Sequence, residues 1–222
     1  MPVCEPPTKP ETHSMSFNHQ PTGEPGSTTL TESPLVTFAH AVHPISAAAR
    51  DYANRKSFPY RVKKGEFLVR SGELCPYIYF IQKGILRGYV QDSKKEITTW
   101  ITAENELATS ITSFHAQQKS FENIQAIEES ELTALHYDDL QYLYTHHPEV
   151  NITGRKLLEK YYRDAEERAY IARLTEATSK YQRFIATKSF MLNRVPLKFI
   201  ASYLGMTLET LSRIRSKLSH AK

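Results

Sequence analysis

A chain of 222 residues with 40% hydrophobic and 23% charged residues is typical of a folded globular protein with one large or two small domains. No apolar run approaches the ~20 residues that a membrane-spanning helix needs. Glu5 and several prolines stand where a secretory signal peptide would be apolar. We therefore expect a soluble, cytoplasmic protein without a membrane partner.

The net charge of +4 hides a strong asymmetry between the two ends of the chain. Residues 151–222 contain 15 Lys and Arg against 6 Asp and Glu, whereas residues 1–150 contain 13 against 18. The C-terminal third is therefore basic and the remainder is acidic. Such a separation of charge predicts that the basic part meets a polyanion such as DNA.

Residues 1–33 differ in composition from the rest of the chain. They hold six of the twelve prolines together with many Ser, Thr and Gly residues, and they show hardly any apolar pattern. Such a segment cannot bury enough apolar surface to offset the cost of ordering its backbone. We predict a disordered N-terminal extension.

Residues 34–148 are predicted to form a β-roll, that is, a double-stranded β-helix or jelly roll. An Ala-rich stretch from Pro44 to Lys56 predicts a helix, and short β-branched and aromatic runs separated by turn residues follow it. These runs are EFLVR (66–70), YIYFIQK (77–83), ILRGYV (85–90), EITTWI (96–101), ENIQAIE (122–128) and ELTALHY (131–137). Many short strands at regular spacing are typical of a β-sandwich or barrel.

A long helix is predicted over residues 149–174. An apolar stripe runs along more than six turns of this helix, and Lys, Arg and Glu occupy its other faces. Because one chain offers too few neighbours to cover so long a stripe, we expect the helix to pair with its copy in a homodimer. Packing of the stripe on the β-roll alone is the alternative. The predicted dimer-interface residues are Leu157, Leu158, Tyr161, Ala165 and Ala169.

Residues 175–222 contain the pattern of a helix-turn-helix. Ile200 and Leu204 give a first helix an apolar face, and Gly205 can end that helix by taking a positive φ angle. Thr207 can cap a second helix, whose N-terminal residues would contact base edges in the DNA major groove. An ordinary helical hairpin is the alternative. The predicted DNA-binding residues are Thr207, Leu208, Glu209, Thr210, Ser212, Arg213, Ser216, Lys217 and, on the first helix, Lys198.

Taken in this order, residues 44–219 resemble the Crp/Fnr family of bacterial transcription factors, in particular the branch common in Bacteroidetes. The matching stretches are KKGEFLVRSGE (63–73), YFIQKGILRGYV (79–90), KEITTW (95–100), ENIQAIE (122–128) and VPLKFIASYLGMTLETLSRIRSKL (195–218). The resemblance implies an α+β fold with an N-terminal β-roll of the cyclic-nucleotide-binding type, a long dimerisation helix and a C-terminal winged helix-turn-helix. It also implies a homodimeric regulator on palindromic double-stranded DNA, with RNA polymerase as a further partner.

The resemblance assigns roles to individual residues of the second helix. Glu209 and Arg213 stand where members of the family contact bases. Leu208 replaces the Arg that usually precedes that Glu. We therefore expect the preferred operator to differ from the operators of family members that carry this Arg.

The effector positions depart from the family. Its cyclic-nucleotide binders hold the ribose with a Glu in a Gly-Glu-Leu turn and the cyclic phosphate with an Arg-Ser pair. The corresponding positions here are Thr109, Ser110, Ile111, Ser120 and Phe121. The carboxylate and the guanidinium, which would bind phosphate through a bidentate pair, are both missing. Lys119 is the one nearby cation, and Phe121 is large enough to occupy the phosphate space. We predict a degenerate pocket that is vestigial, permanently filled or specific for another small-molecule effector.

Two alternatives stay open. A cyclic-nucleotide-responsive regulator would use the divergent pocket, with Lys119 on the phosphate. A cupin-like metal-dependent barrel enzyme would share the strand rhythm, but it needs a His-x-His pair in a strand, and the sequence has none. The two cysteines, Cys4 and Cys75, cannot supply the four thiolates of an iron–sulfur cluster. We expect no catalytic residues, no metal and no cofactor.

Overall fold

The computed structural model describes residues 32–220, so the extension predicted for residues 1–33 lies outside the described residues except for its last two. The strands are β1 (Phe58–Val62), β2 (Phe67–Val69), β3 (Tyr77–Lys83), β4 (Leu86–Asp92), β5 (Lys95–Thr102), β6 (Leu107–Ala108), β7 (Asn123–Ala126) and β8 (Ser130–His136). The helices are α1 (Pro34–Val42), α2 (Ala47–Lys56), α3 (Ile111–Ala116), α4 (Tyr137–His146), α5 (Pro148–Arg173), α6 (Ala177–Lys188), α7 (Leu197–Tyr203) and α8 (Leu208–His220), with a 3-10 turn at Ser189–Met191.

The strands form the predicted β-roll. Two antiparallel sheets have the strand orders β1-β8-β3-β6 and β2-β7-β4-β5. Ile81 and Leu132 of the first sheet share a buried cluster with Leu86 and Ala126 of the second, because alternate residues of each strand point to the inner face. The predicted α+β fold class, with its β-roll, long helix and C-terminal helical region, is therefore confirmed.

One glycine position shows how tightly the interior of the β-roll is packed. The indole of Trp100 on β5 lies across Gly88 of the neighbouring strand β4. A Cβ atom at Gly88 would come within 2.1 Å of that indole. Glycine at this position therefore allows the largest side chain of β5 to lie against the backbone of β4.

The N-terminal helices pack on the first sheet. Val36 of α1 and Ala49 of α2 belong to one buried cluster with Phe80 of β3 and Leu135 of β8. The sequence pattern predicts α2 but does not predict the helices α1 and α3 or the strands β1 and β6. Helix α1 has only two buried residues, and its Phe38 finds a partner only in the folded chain, where its ring stacks on Phe80 with centroids 4.8 Å apart.

The C-terminal helices share their core with the β-roll. Phe184 of α6 and Leu211 of α8 are fully buried, and they lie in one cluster with Ile85, Ile101 and Ala103 of the β-roll region. No strand follows β8 within residues 32–220, so the wing expected beside the helix-turn-helix is not observed. In this part of the chain no helix is both long and apolar enough to cross a membrane.

Candidate DNA-binding surface and effector pocket

The predicted helix-turn-helix is formed by α7 and α8. Gly205 lies between them with a φ angle of +64°, in the left-handed region where glycine carries no steric penalty. The hydroxyl of Thr207 accepts a hydrogen bond from the amide of Thr210 at 3.2 Å, which caps α8 as predicted. Leu211 buries the apolar side of α8 against the same core as Ile200 of α7. The orientation of α8 is therefore set by packing.

The opposite side of α8 is exposed. Glu209 lies in its first turn, where hydrogen bonds from its own backbone amide and from Thr207 lower the pKa of its carboxyl. Thr210 is partly buried. The other predicted DNA-binding residues are exposed, namely Thr207, Leu208, Glu209, Ser212, Arg213, Ser216 and Lys217, together with Lys198 on α7. The structure thus presents hydrogen-bond acceptors and cations on one accessible face.

Two contacts hold α7 against the edge strand β5 and its neighbour β4. The hydroxyl of Ser202 accepts a hydrogen bond from the amide of Thr98 and donates one to the carbonyl of Glu96, each at 2.9 Å. The buried guanidinium of Arg87 lies 3.7 Å from the ring centroid of Phe199. Helix α7 therefore supplies hydrogen-bond partners for backbone groups that an edge strand would otherwise leave unpaired.

Arg194, which precedes α7, is engaged inside the chain although it adds to the positive charge of the C-terminal third. Its guanidinium donates to the two carboxylate oxygens of Glu104 at 3.0 and 2.5 Å and also to Glu128. Glu104 accepts a further hydrogen bond from the amide of Gly84 at 2.8 Å. Chiefly because of Arg194, the pKa of the Glu104 carboxyl falls to about 2. Arg194 therefore connects the helix-turn-helix to the β-roll.

The predicted effector positions lie around α3 and before β7. Ser110 and Ser120 are buried, and their hydroxyl oxygens are 2.9 Å apart. Ser120 also donates to the backbone carbonyl of Glu122 at 2.8 Å, and Thr109 donates to the carbonyl of Tyr77 at 3.0 Å. These hydroxyl groups satisfy their hydrogen bonds within the chain rather than pointing into open space.

Glu122, which the sequence analysis does not identify, brings a carboxylate to these serines. Its side chain is 6% exposed and accepts a hydrogen bond from the indole nitrogen of Trp100 at 2.9 Å. Burial raises the pKa of the Glu122 carboxyl, although hydrogen bonds from Trp100 and Ser110 oppose the shift. The interior of the β-roll beside the two serines is therefore occupied by an indole and a carboxyl group. A charged residue within the strand pattern of ENIQAIE is the signal that could have indicated it.

One expectation about the pocket is wrong. Phe121 is 60% exposed, so it does not occupy the phosphate space. Ser120 and Glu122 on either side of it are buried, and Phe121 lies in the bend before β7 with its side chain outward. Lys119 is exposed, and Ile111 is 57% exposed at the start of α3.

Helix α5 faces the β-roll with one of its predicted interface residues. The hydroxyl of Tyr161 accepts a hydrogen bond from the amide of Leu107 at 2.8 Å and donates one to the carboxylate of Glu106 at 3.0 Å. The hydroxyl of Tyr161 therefore makes contacts within the chain, and its place in the dimer interface stays a prediction. Leu157, one turn earlier, is partly buried.

A second face of α5 is exposed along its length. Leu158 is 58% and Tyr162 75% exposed, although both side chains are large and mainly apolar. The residues of this exposed α5 stripe are Leu158, Tyr162, Ala165, Ala169 and Ala172. Their alternating spacing of four and three residues is that of a coiled-coil seam. Three of the five predicted interface residues lie in this stripe, and Tyr162 was missed.

Residues 32–220 contain no group of three or more His, Cys, Asp or Glu side chains placed to hold a metal ion. His115 is the histidine closest to the effector positions in sequence. It lies at the surface, but the protein covers part of its ring, and this desolvation lowers the pKa of the imidazole. The described residues therefore lend no support to the alternative of a metal-dependent barrel enzyme.

Comparison with known proteins agrees with this architecture. Residues 59–147 match the family model of the cyclic nucleotide-binding domain. FixK2 from Bradyrhizobium japonicum has a similar structure, with 17% identity and a TM-score of 0.67 over 74% of this chain and 85% of that one. A transcriptional regulator from Eubacterium rectale assigned to the Crp/Fnr family has 16% identity and a TM-score of 0.63 over 80% and 85% of the two chains.

A third similar structure is CLP from Xanthomonas campestris, described as a c-di-GMP-responsive global regulator. It has 16% identity and a TM-score of 0.60 over 79% of this chain and 93% of that one. No curated protein sequence matches the chain. Residues 59–147 thus resemble the cyclic nucleotide-binding domain, and a long helix and a helix-turn-helix follow them. The chain as a whole has the fold of the Crp/Fnr regulators, which confirms the resemblance seen in its sequence.

The Glu104–Arg194 contact predicts a specific pH dependence of stability. Since the pKa of Glu104 is lowered from its ordinary value of 4.5 to about 2 in the folded chain, its stabilisation is present above pH 4.5 and is lost as the pH falls towards 2. We expect the free energy of unfolding in urea to decline less steeply over this range in Glu104→Gln than in the parent protein. Glu129→Gln, which removes an exposed carboxylate nearby, is the control and should follow the parent. Parallel curves for Glu104→Gln and the parent would contradict the prediction.

Proposed function

We propose that this protein is a homodimeric transcriptional regulator that binds a palindromic operator through α8 and does not respond to cyclic AMP or cyclic GMP. The division of α8 into two faces is the observation that carries the proposal. Leu211 and Ile214 anchor one face in the shared core, while Glu209, Arg213 and Lys217 on the other face are exposed. A recognition helix needs both properties, because rigid placement by the scaffold lets its polar side chains meet base edges in register.

The charge distribution supports DNA as the partner. The C-terminal third carries a net positive charge, and the cations Lys198, Arg213 and Lys217 lie on exposed positions of α7 and α8. Arg194 does not contribute to this surface, because Glu104 and Glu128 neutralise it. Two of the three similar structures compared above are described as regulators, and none of the three is described as an enzyme.

The exposed α5 stripe supports a dimer. Its residues recur at the spacing of a coiled-coil seam, and burial of Leu158 and Tyr162 against a second copy would remove much apolar surface from water. Two copies of α8 related by two-fold symmetry would then contact an inverted repeat, with half-sites about one helical turn apart.

The occupied interior of the β-roll supports an effector site without a cyclic nucleotide. Ser110 and Ser120 are bonded to each other, and Glu122 adds a carboxylate where an anionic phosphate would need a cation. Burying a phosphate without a paired cation is costly. The c-di-GMP response described for the Xanthomonas regulator is therefore not proposed for this chain.

Substitutions on α8 test the DNA-binding proposal. In this proposal Arg213 contacts guanine, and such a bidentate contact contributes ~1–3 kcal/mol of discrimination between bases. We expect Arg213→Ala to relax base preference at one position of each half-site in selection from random DNA. Lys217→Ala, which removes a cation one helical turn later, should weaken binding to all sequences alike. Recovery of an unchanged motif by Arg213→Ala would refute the role assigned to Arg213.

Substitutions on α5 test the dimer. We expect the parent protein to have a two-chain mass by light scattering at micromolar concentration. The double variant Leu158→Glu with Ala165→Glu places like charges on both sides of the seam and should dissociate it into monomers. Tyr161→Phe removes only a hydroxyl that bonds within the chain, so this control should remain dimeric. A monomeric parent protein would rule out the dimer.

Calorimetry tests the effector proposal. Each lost charge-assisted hydrogen bond costs about 1.5–3 kcal/mol, and each 1.4 kcal/mol is a tenfold change in affinity. We therefore expect no binding of cyclic AMP or cyclic GMP below millimolar concentration, and DNA binding that is unchanged by either nucleotide. The same titration of a cyclic-AMP-dependent regulator of this fold is the positive control. Micromolar binding of either nucleotide would overturn the proposal.

A further inference from the structure

A cavity of about 870 Å³ lies where the β-roll, α5 and the C-terminal helices meet. Pockets for small molecules are typically about 300–1,000 Å³ and mainly apolar. Of the predicted effector positions, Thr109 and Ile111 line this cavity and the buried serines do not, while residues of α6 and the 3-10 turn form another part of its wall. Three residues of the exposed α5 stripe also line it, so a second copy bound to that stripe would border the cavity. Its inner apolar wall includes Ile78, Trp100, Leu107, Leu157, Phe190 and Met191.

Most charged groups in the cavity wall already have ion-pair partners. The carboxylate of Glu106 accepts from the ammonium of Lys160 at 2.5 and 2.6 Å, and Glu104 is bound to Arg194. Glu167 and Glu159 are paired with arginines outside the cavity at 2.6 and 2.5 Å. These charges are therefore neutralised without a ligand. The wall residues without an ion-pair partner inside residues 32–220 are Asp164, Arg168 and Lys188.

Lys188 differs from the other two unpaired residues by its surroundings. Asp164 is exposed, so water solvates its carboxylate, and Arg168 on α5 acts electrostatically on the buried carboxyl of Glu122. Lys188 ends α6, is partly buried in the cavity wall, and has no hydrogen-bond acceptor among the described residues. Burial lowers the pKa of its ammonium group. An anion in the cavity would relieve this desolvation.

The neighbours of Lys188 restrict the charge of that anion. The carboxylates of Asp164 and Glu106 are close enough to favour the charged form of Lys188, while Arg168 and Lys160 oppose it. The three unpaired wall residues, Asp164, Arg168 and Lys188, carry a net charge of +1, so a ligand with two negative charges would leave one of them unbalanced. A single negative charge on an apolar body fits both the ammonium and the apolar wall.

We propose that this cavity binds an amphipathic monoanion of the carboxylic acid class. Its carboxylate contacts Nζ of Lys188, and its aliphatic or aromatic body lies between the β-roll and α5. Because Lys188 belongs to the helices that carry α8, while Trp100 and Leu107 belong to the β-roll, the ligand connects the sensor part to the DNA-binding part. Its action as an effector rests on the proposed function, whereas the binding itself does not.

The test is a comparison of decanoate with decanol, which share a chain and differ in charge. Both are titrated into the full-length parent protein by calorimetry at neutral pH. We expect one decanoate per chain, bound at least tenfold more tightly than decanol. Lys188→Met should abolish this preference, whereas Lys188→Arg should retain it. Lys180→Met, on the same helix but outside the cavity, is the matched control and should behave like the parent.

Three outcomes would overturn the proposal. These are equal affinity for decanoate and decanol, no binding of decanoate, or a preference for decanoate that persists in Lys188→Met. If Lys188→Met does not fold, the decanoate preference of the parent and its retention in Lys188→Arg decide the question. Light scattering and operator binding without decanoate report on the proposed function separately. A dimer that binds DNA but not decanoate would therefore reject the cavity ligand alone.

Discussion

The helices that present α8 to solvent share one buried core with the β-roll. Ile85, Ile101 and Ala103 lie in the same cluster as Phe184 and Leu211, so neither part completes its apolar burial without the other. Because burial of apolar surface is the main favourable term in folding, this cluster determines where the helix-turn-helix lies. The exposure of the polar face of α8 follows from it, since the opposite face of the helix is held in the core.

Apolar packing alone does not fix how the helix-turn-helix is oriented on the β-roll, whereas polar contacts are directional. The hydroxyl of Ser202 bonds to the amide of Thr98 and to the carbonyl of Glu96 on β5. Arg194 bonds to carboxylates from two loops of the β-roll. The same interface also contains buried polar atoms without a hydrogen-bond partner in the described residues, namely Nη1 of Arg87 and the hydroxyls of Thr98 and Thr99. Unpaired buried groups of this kind are costly. Several buried polar atoms between α7 and the β-roll therefore lack hydrogen-bond partners among the described residues.

The interior of the β-roll contains polar groups that bond to one another. Trp100 lies on the backbone of β4 because residue 88 is glycine, and its indole nitrogen bonds to Glu122. The hydroxyls of Ser110 and Ser120 are bonded to each other, and Ser120 also bonds to the carbonyl of Glu122. The cavity beside α5 adjoins this network, because Trp100 and Thr109 line it, and its wall combines all three parts of the chain.

The sequence by itself was sufficient to predict six of the strands, the helices α2, α5, α7 and α8, and the exposed residues of α8. Their signals are local, because periodic apolar residues, Gly205 and the Thr207 cap act within a few positions of the chain. Strands β1 and β6 carry no comparable pattern, and β6 has only two residues. They exist because β8 and β3 offer them hydrogen-bond partners.

Only the tertiary structure decided which side chains face one another. Leu157, Leu158 and Tyr161 all fit one broad apolar stripe in the sequence, yet successive helix residues are rotated by about 100°. That rotation directs Tyr161 to the amide of Leu107 and leaves Leu158 exposed beside Tyr162. In the same way, the bend before β7 leaves Phe121 exposed and Glu122 buried. A pattern along the chain shows that a helix or strand has an apolar face. Which element packs on that face depends on residues distant in sequence.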